Sequence, residues 1–135
     1  MLASGCTGIV KPSENAPLAP IRIVELWNEI EGVVPGVLNC LPGLGSVTGD
    51  TLTDHEGIRK IAFTGSKKIG KRIMSRASNN LKRINLEQGG KGPVIVSDDG
   101  DIDKAVEILG QEVLHNSGQV CSAPTRLIVH DNVYD

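Results

Sequence analysis

A chain of 135 residues in which 39% are hydrophobic is long enough for one domain of ordinary size, and it contains no charge block or low-complexity tract of the kind that marks disorder. A formal net charge of −2 gives no general electrostatic reason to bind nucleic acid or an anionic membrane, and no stretch approaches the roughly 20 apolar residues of a membrane span. One Phe, one Tyr and one Trp leave a core of Ile, Val, Leu and Ala, which suits a sheet packed by aliphatic helices and equally a piece of something larger.

The run Cys6-Thr7-Gly8-Ile9-Val10 predicts a strand closed by Lys11-Pro12, since proline cannot donate to a ladder. Residues 18–30 recur at helical spacing through Leu18, Ile21, Val24 and Trp27, with Pro17 and Pro20 at the entry and Gly32 and Pro35-Gly36 beyond the end. A second strand is predicted at 37–41, a helix at 46–53 and a third strand at 60–63. A helix over 67–78 follows, with Ile69, Ile73, Met74 and Ala77 on one side. Its basic run from Lys67 to Arg72 reads as a solvated helix face. Strands at 83–86 and 93–96 come next. Asp101 then predicts an N-cap for a helix reaching Leu114, with the stripe Ile102, Val106, Leu109 and Val113, and a last strand covers 126–129. Alternation of strand and helix throughout predicts an α/β fold with a mostly parallel sheet and helices on its faces.

Cys6, Cys40 and Cys121 stand at unrelated spacings, which argues against a disulfide framework and for a reducing compartment, so the expected localisation is cytoplasmic. The first residues show no basic region ahead of an apolar run, and no signal peptide is expected. His55, His115 and His130 share no metal-ligand spacing, so no metal site is expected; His115, though close to Cys121 in sequence, reads as an ordinary helix-end residue.

Four segments can carry chemistry. Gly43-x-Gly45-x-x-x-Gly49 is one residue longer than the dinucleotide fingerprint and reads first as a turn. Phe63-Thr64-Gly65-Ser66 ends a strand and opens a helix; Ser66 serves equally well as a plain N-cap or as part of an anion site at the helix N-terminus. Leu86-Glu87-Gln88-Gly89-Gly90-Lys91 places a carboxylate at a strand end, where most glutamates are simply solvated. Asn116-Ser117-Gly118-Gln119-Val120-Cys121 sets a cysteine in a polar loop, unlike Cys40 in its apolar run. Such a position favours a reactive thiolate more than a buried one does.

Taken in order, Gly5-Cys6-Thr7, Lys11-Pro12-Ser13-Glu14, Pro35-Gly36-Val37-Leu38-Asn39, Phe63-Thr64-Gly65-Ser66, Leu86-Glu87-x-Gly89-Gly90-Lys91 and Asn116-x-Gly118-Gln119-x-Cys121 resemble the aldehyde dehydrogenase family over essentially the whole chain. The resemblance implies a partial Rossmann-like parallel sheet in residues 1–90 that binds the cofactor, running into the start of a catalytic domain in 91–135. It implies that Cys121 attacks an aldehyde carbon to give a thiohemiacetal, that hydride leaves for the nicotinamide to give a thioester, and that Glu87 activates the water that hydrolyses it. The backbone N–H of Cys121 would help to hold the oxyanion. By the same likeness Lys11 and Glu14 hold the adenosine ribose, Ser66 the pyrophosphate, and Gly45, Gly65 and Gly70 admit the cofactor closely. A carboxylate at Glu14 would repel a ribose 2′-phosphate, so NAD is the expected cofactor and NADP the alternative. The partners implied are a small aldehyde and, for the full-length enzyme, further copies of itself.

Two positions depart from the family pattern. Gln88 stands where a small or apolar residue is usual, and Gly92 where Ser, Ala, Asp or Asn is usual; the first adds bulk on the nicotinamide side and the second loosens the turn. The family's upstream strands, with the asparagine that completes the oxyanion hole, would precede Met1, and the rest of the catalytic domain would follow Asp135. The expectation is therefore an aldehyde dehydrogenase segment with negligible turnover alone. A non-catalytic nucleotide-binding or structural remnant is the alternative, and a thiol esterase or redox protein using Cys121 alone is a third.

Overall fold

Short runs of β-branched residues closed by proline or glycine alternate with longer amphipathic ones, and the backbone follows that alternation. A computed structural model describes residues 1–134. In chain order these form β1 (Gly8–Val10), α1 (Leu18–Glu29), β2 (Leu38–Cys40), α2 (Asp50–Asp54), β3 (Lys60–Thr64), α3 (Lys67–Ala77), β4 (Arg83–Glu87), β5 (Pro93–Val96), α4 (Ile102–Leu114) and β6 (Arg126–Val129). The predicted α/β class holds, with strands in side-by-side pairs. Among the described residues no helix is long and apolar enough to cross a membrane.

The chain divides into two units, Met1–Ile61 with Ile73–Ile84, and Ala62–Arg72 with Asn85–Asp135. In the first unit β1 and β2 run parallel, Gly8 opposite Leu38 and Val10 opposite Cys40, and the ladder is extended by Gly8 N–H to Val37 O at 2.8 Å and Leu41 N–H to Val10 O at 2.9 Å. Pro17 precedes α1 and Pro20 is its third residue, where a helix N–H has no intrahelical acceptor to lose. Val24, Leu38, Ile73 and Ala77 are buried. The helix predicted at 46–53 divides instead into a wider π-type turn, Gly45–Gly49, and the short α2.

Two cations pin this unit. Lys82, only 7% exposed, donates from Nζ to the carbonyls of His55 (2.6 Å) and Ile58 (2.8 Å), closing the loop that leads into β3. Arg76 on α3 pairs with Asp54 and Asp50 of α2.

In the second unit β5 and β6 run parallel, Pro93 opposite Arg126 through to Val96 opposite Val129. Pro93 opens its strand, where its missing N–H costs the ladder nothing. Asp101 caps α4 as predicted, accepting from Lys104 N–H at 3.0 Å. The α4 stripe is poorly covered, however. Val106 is 65% exposed and, across the groove from the helix, Ile95 on β5 is 74% exposed. The helical period is present, but the described residues supply no layer that buries that face.

Candidate active site

Two loops of the second unit build the site. One follows β4 and runs from Glu87 to Gly92; the other joins α4 to β6 and carries Cys121. Arg126 ties them, its backbone N–H donating to Gly92 O at 3.3 Å and its Nε to Lys91 O at 2.8 Å. The β5–β6 pairing therefore fixes where both loops end.

The cysteine loop leaves α4 through three consecutive residues with left-handed backbone, Asn116 (φ 50), Ser117 (φ 59) and Gly118 (φ 72). Only the glycine adopts that region freely; Asn is tolerated there and Ser is strained. The Asn116 side chain compensates by donating from Nδ2 to Gln119 O at 3.2 Å, and Gln119 N–H returns to Asn116 O at 3.1 Å. A further turn, Ala123 N–H to Val120 O at 3.1 Å, brackets Cys121. Ala123 is 3% exposed and anchors the loop, while Cys121 itself is a free, exposed thiol. Opposite it, Lys91 (φ 59) and Gly90 (φ 119) are also left-handed. Strained backbone on both sides of a thiol is a feature that structures retain mostly at functional sites.

Glu87 ends β4 and is exposed, with Asn85 two residues back on the same strand face donating to Oε1 at 3.4 Å. Its backbone carbonyl accepts from Gly65 N–H at 3.1 Å, so the strand end that carries the carboxylate is paired to the Gly65-Ser66 turn. Glu87, Gln88, Gly89, Cys121 and Ser122 line one recess of about 260 Å³. That is below the ~300–1,000 Å³ of drug-sized pockets and fits a small substrate. A larger groove of about 320 Å³ lies between β5 and α4, but its walls are mostly aliphatic and hold no cysteine.

The other candidate residues fall as follows. Ser66 does cap α3, its Oγ accepting from Ile69 N–H at 3.4 Å. A side chain at Gly65 would press on the ring of Phe63, its Cβ lying 2.5 Å from Cζ, and the space beside Gly70 is taken by the amide of Gln88. Both glycines thus have a packing reason within the chain. The Gln88 Nε2 that sits there is buried with no hydrogen-bond partner. In the first unit Lys11 Nζ donates to Pro12 O at 2.6 Å and to Gly43 O at 2.9 Å, with Glu14 at 3.8 Å, and Gly45 faces open space. The basic run on α3 is exposed, as expected of a solvated face. His115 is exposed at the end of α4, and the recess does not include it.

Gly89 and Ser122 line the recess without being candidates by residue type. Gly89 was visible only as part of the Glu-x-Gly-Gly pattern, and its neighbour in space lies too far along the chain for local pattern to reveal.

The α/β scaffold of this unit sets a free thiol and a carboxylate in one recess. The chain belongs to the aldehyde dehydrogenase family, whose model matches residues 1–135. It is 46% identical over 134 residues to a putative aldehyde dehydrogenase, DhaS, of Bacillus subtilis, covering 99% of this chain and 27% of that protein. It is 51% identical over 132 residues to betaine aldehyde dehydrogenase 1 of Oryza sativa subsp. japonica, covering 98% and 26%. Among solved structures, PnpE in complex with nicotinamide adenine dinucleotide superposes with a TM-score of 0.91 at 48% identity, covering 99% of this chain and 27% of that one. The chain thus spans about a quarter of the length of the relatives it matches.

Proposed function

We propose that this chain is the segment of an NAD-dependent aldehyde dehydrogenase that carries its nucleophile and its general base, oxidising an aldehyde to a carboxylic acid. One observation carries the reading: Cys121 and Glu87, distant in sequence, line the same recess. Residues 1–90 are assigned to cofactor binding and 91–135 to the start of the catalytic domain.

In this reading the Cys121 thiolate attacks the aldehyde carbon. A C–S bond forms and the carbonyl π pair moves to oxygen, where the backbone N–H of Cys121 offers a donor. When bound, NAD supplies the hydride acceptor that turns this adduct into a thioester. Glu87 then takes a proton from water, the hydroxyl adds to the acyl carbon, the C–S bond breaks, and the acid departs with the thiol restored. An exposed carboxylate at a recess mouth suits a base that must reach water.

The residues fit a dinucleotide. Lys11 and Glu14 form a donor–acceptor pair at the end of β1, suited to ribose hydroxyls, and Gly45 leaves room beside its turn. Ser66 opens an 11-residue helix whose N-terminal dipole favours an anion such as pyrophosphate. Glu14 favours NAD over NADP. The structural relative PnpE, solved with that dinucleotide, supports the choice. The substrate is a small aldehyde, and further copies of the full-length enzyme are its expected partners. The scattered free thiols support the cytosol as compartment.

A chimera tests this. These residues replace the matching quarter of the Bacillus subtilis relative, and NADH formation is followed with a simple aldehyde. The graft is expected to turn over; C121S lowers kcat by at least ~10³-fold, and E87Q lowers it by about 10²–10⁴-fold. A folded chimera without turnover overturns the reading in favour of a non-catalytic remnant of the family, and turnover that survives C121S undiminished overturns Cys121 as the nucleophile.

A further inference from the structure

Gly89 is where the two site loops touch. A Cβ built on it would lie 2.5 Å from Cys121 Cβ and 2.9 Å from both Cys121 Cα and Cys121 O. Real side chains do not approach that closely, and two of the three opposing atoms are backbone, which cannot rotate aside as a side-chain tip can. Three residues on, Gly92 faces the same loop at ordinary distance, 3.7 Å from Ala123 O and 3.9 Å from Ser122 O. The glycine at 89 is therefore not a general need of the loop. It is a local need of the residue opposite.

Nor does turn geometry account for it. Gly90 and Lys91 carry the left-handed backbone of this loop, whereas Gly89 does not. What Gly89 provides is an absence of bulk two residues after Glu87, at the point where the nucleophile's own backbone rests.

We infer that Gly89 is a positioning residue that seats the Cys121 backbone beside Glu87, so that any side chain at 89 displaces the nucleophile from the base. The inference rests on the reading of Cys121 as nucleophile for its meaning, but the contact is testable without catalysis. Alanine at 89 must push the 120–123 turn outward by about an ångström, a displacement of the order that costs ~10²-fold where reacting groups must align.

The test uses the 135-residue chain. In the unaltered protein, NMR is expected to give a strong nuclear Overhauser cross-peak between a Gly89 α-proton and the Cys121 β-protons. Iodoacetamide modification is then followed at each cysteine by peptide mass spectrometry. G89A is expected to change the Cys121 rate by about fivefold or more, with Cys6 held within about twofold, and G92A to leave Cys121 within about twofold. No cross-peak, an unchanged Cys121 rate in G89A, or an equal change in G92A each overturns the inference. If G89A fails to fold, the cross-peak alone decides. Failure of the chimera to turn over would sink the catalytic reading while leaving a positive cross-peak intact, so the two can fail separately.

Discussion

Among the described residues, the unit that carries Lys11 buries Val24, Leu38, Ile73 and Ala77, while the unit that carries Cys121 buries only one hydrophobic side chain, Ala123. The first is also fastened by cations: Lys82 on two loop carbonyls, Arg76 on two carboxylates, Lys11 on the loop after β2. The second relies on close backbone approach at Gly89 and on side-chain packing against glycines, and three of its non-glycine residues, Lys91, Asn116 and Ser117, have left-handed backbone against one, Leu81, in the first. Hydrophobic burial is concentrated in one unit and left-handed non-glycine backbone in the other. That division suits the role proposed for Cys121, since a thiol that is to meet substrate cannot be sealed beneath a core.

The comparison can be broken first at Lys82. K82M removes an ammonium that donates to two carbonyls; His55 O keeps the Ile58 N–H at 3.1 Å while Ile58 O loses its Lys82 donor, so urea denaturation is expected to show a loss of about 1–3 kcal/mol. An unchanged midpoint would mean that the first unit is not held by its buried cation. The next effect lies in the second unit. D101A deletes the α4 cap and is expected to cost about 1 kcal/mol, read from the same denaturation curve. With so little buried beneath α4, that loss should be accompanied by faster amide exchange along the helix. Smaller, and opposite in sign, is Gln88. Q88L replaces a buried, unpartnered amide by an apolar side chain of similar volume and is expected to raise stability by up to about 1 kcal/mol. A loss instead would show that the amide finds a partner in solution.

Much of the fold could be read in advance because its signals are local. Nine of the ten predicted elements match those observed, since proline, glycine and aliphatic period mark their boundaries. The 46–53 helix is the exception: glycines at 45 and 49 allow a wider turn that a helical period cannot announce. Burial was less legible. The α4 stripe has the right spacing, but period says which face is apolar and not whether anything covers it. At the site, Cys121 and Glu87 could be singled out by residue type and motif. The left-handed Ser117 could not, because serine gives no sign of it. Nor could the contacts of Gly89 with Cys121 and of Gly70 with Gln88, which join residues far apart along the chain.

The most direct measurement is the mass of the Cys121 peptide after the chimera carrying E87Q is incubated with aldehyde and NAD, then quenched in acid. With the nucleophile at Cys121 and the base removed, an acyl group of the substrate's mass is expected to accumulate on that peptide. Full turnover with no acyl adduct at Cys121, or an adduct on Cys6 or Cys40 instead, would contradict the account.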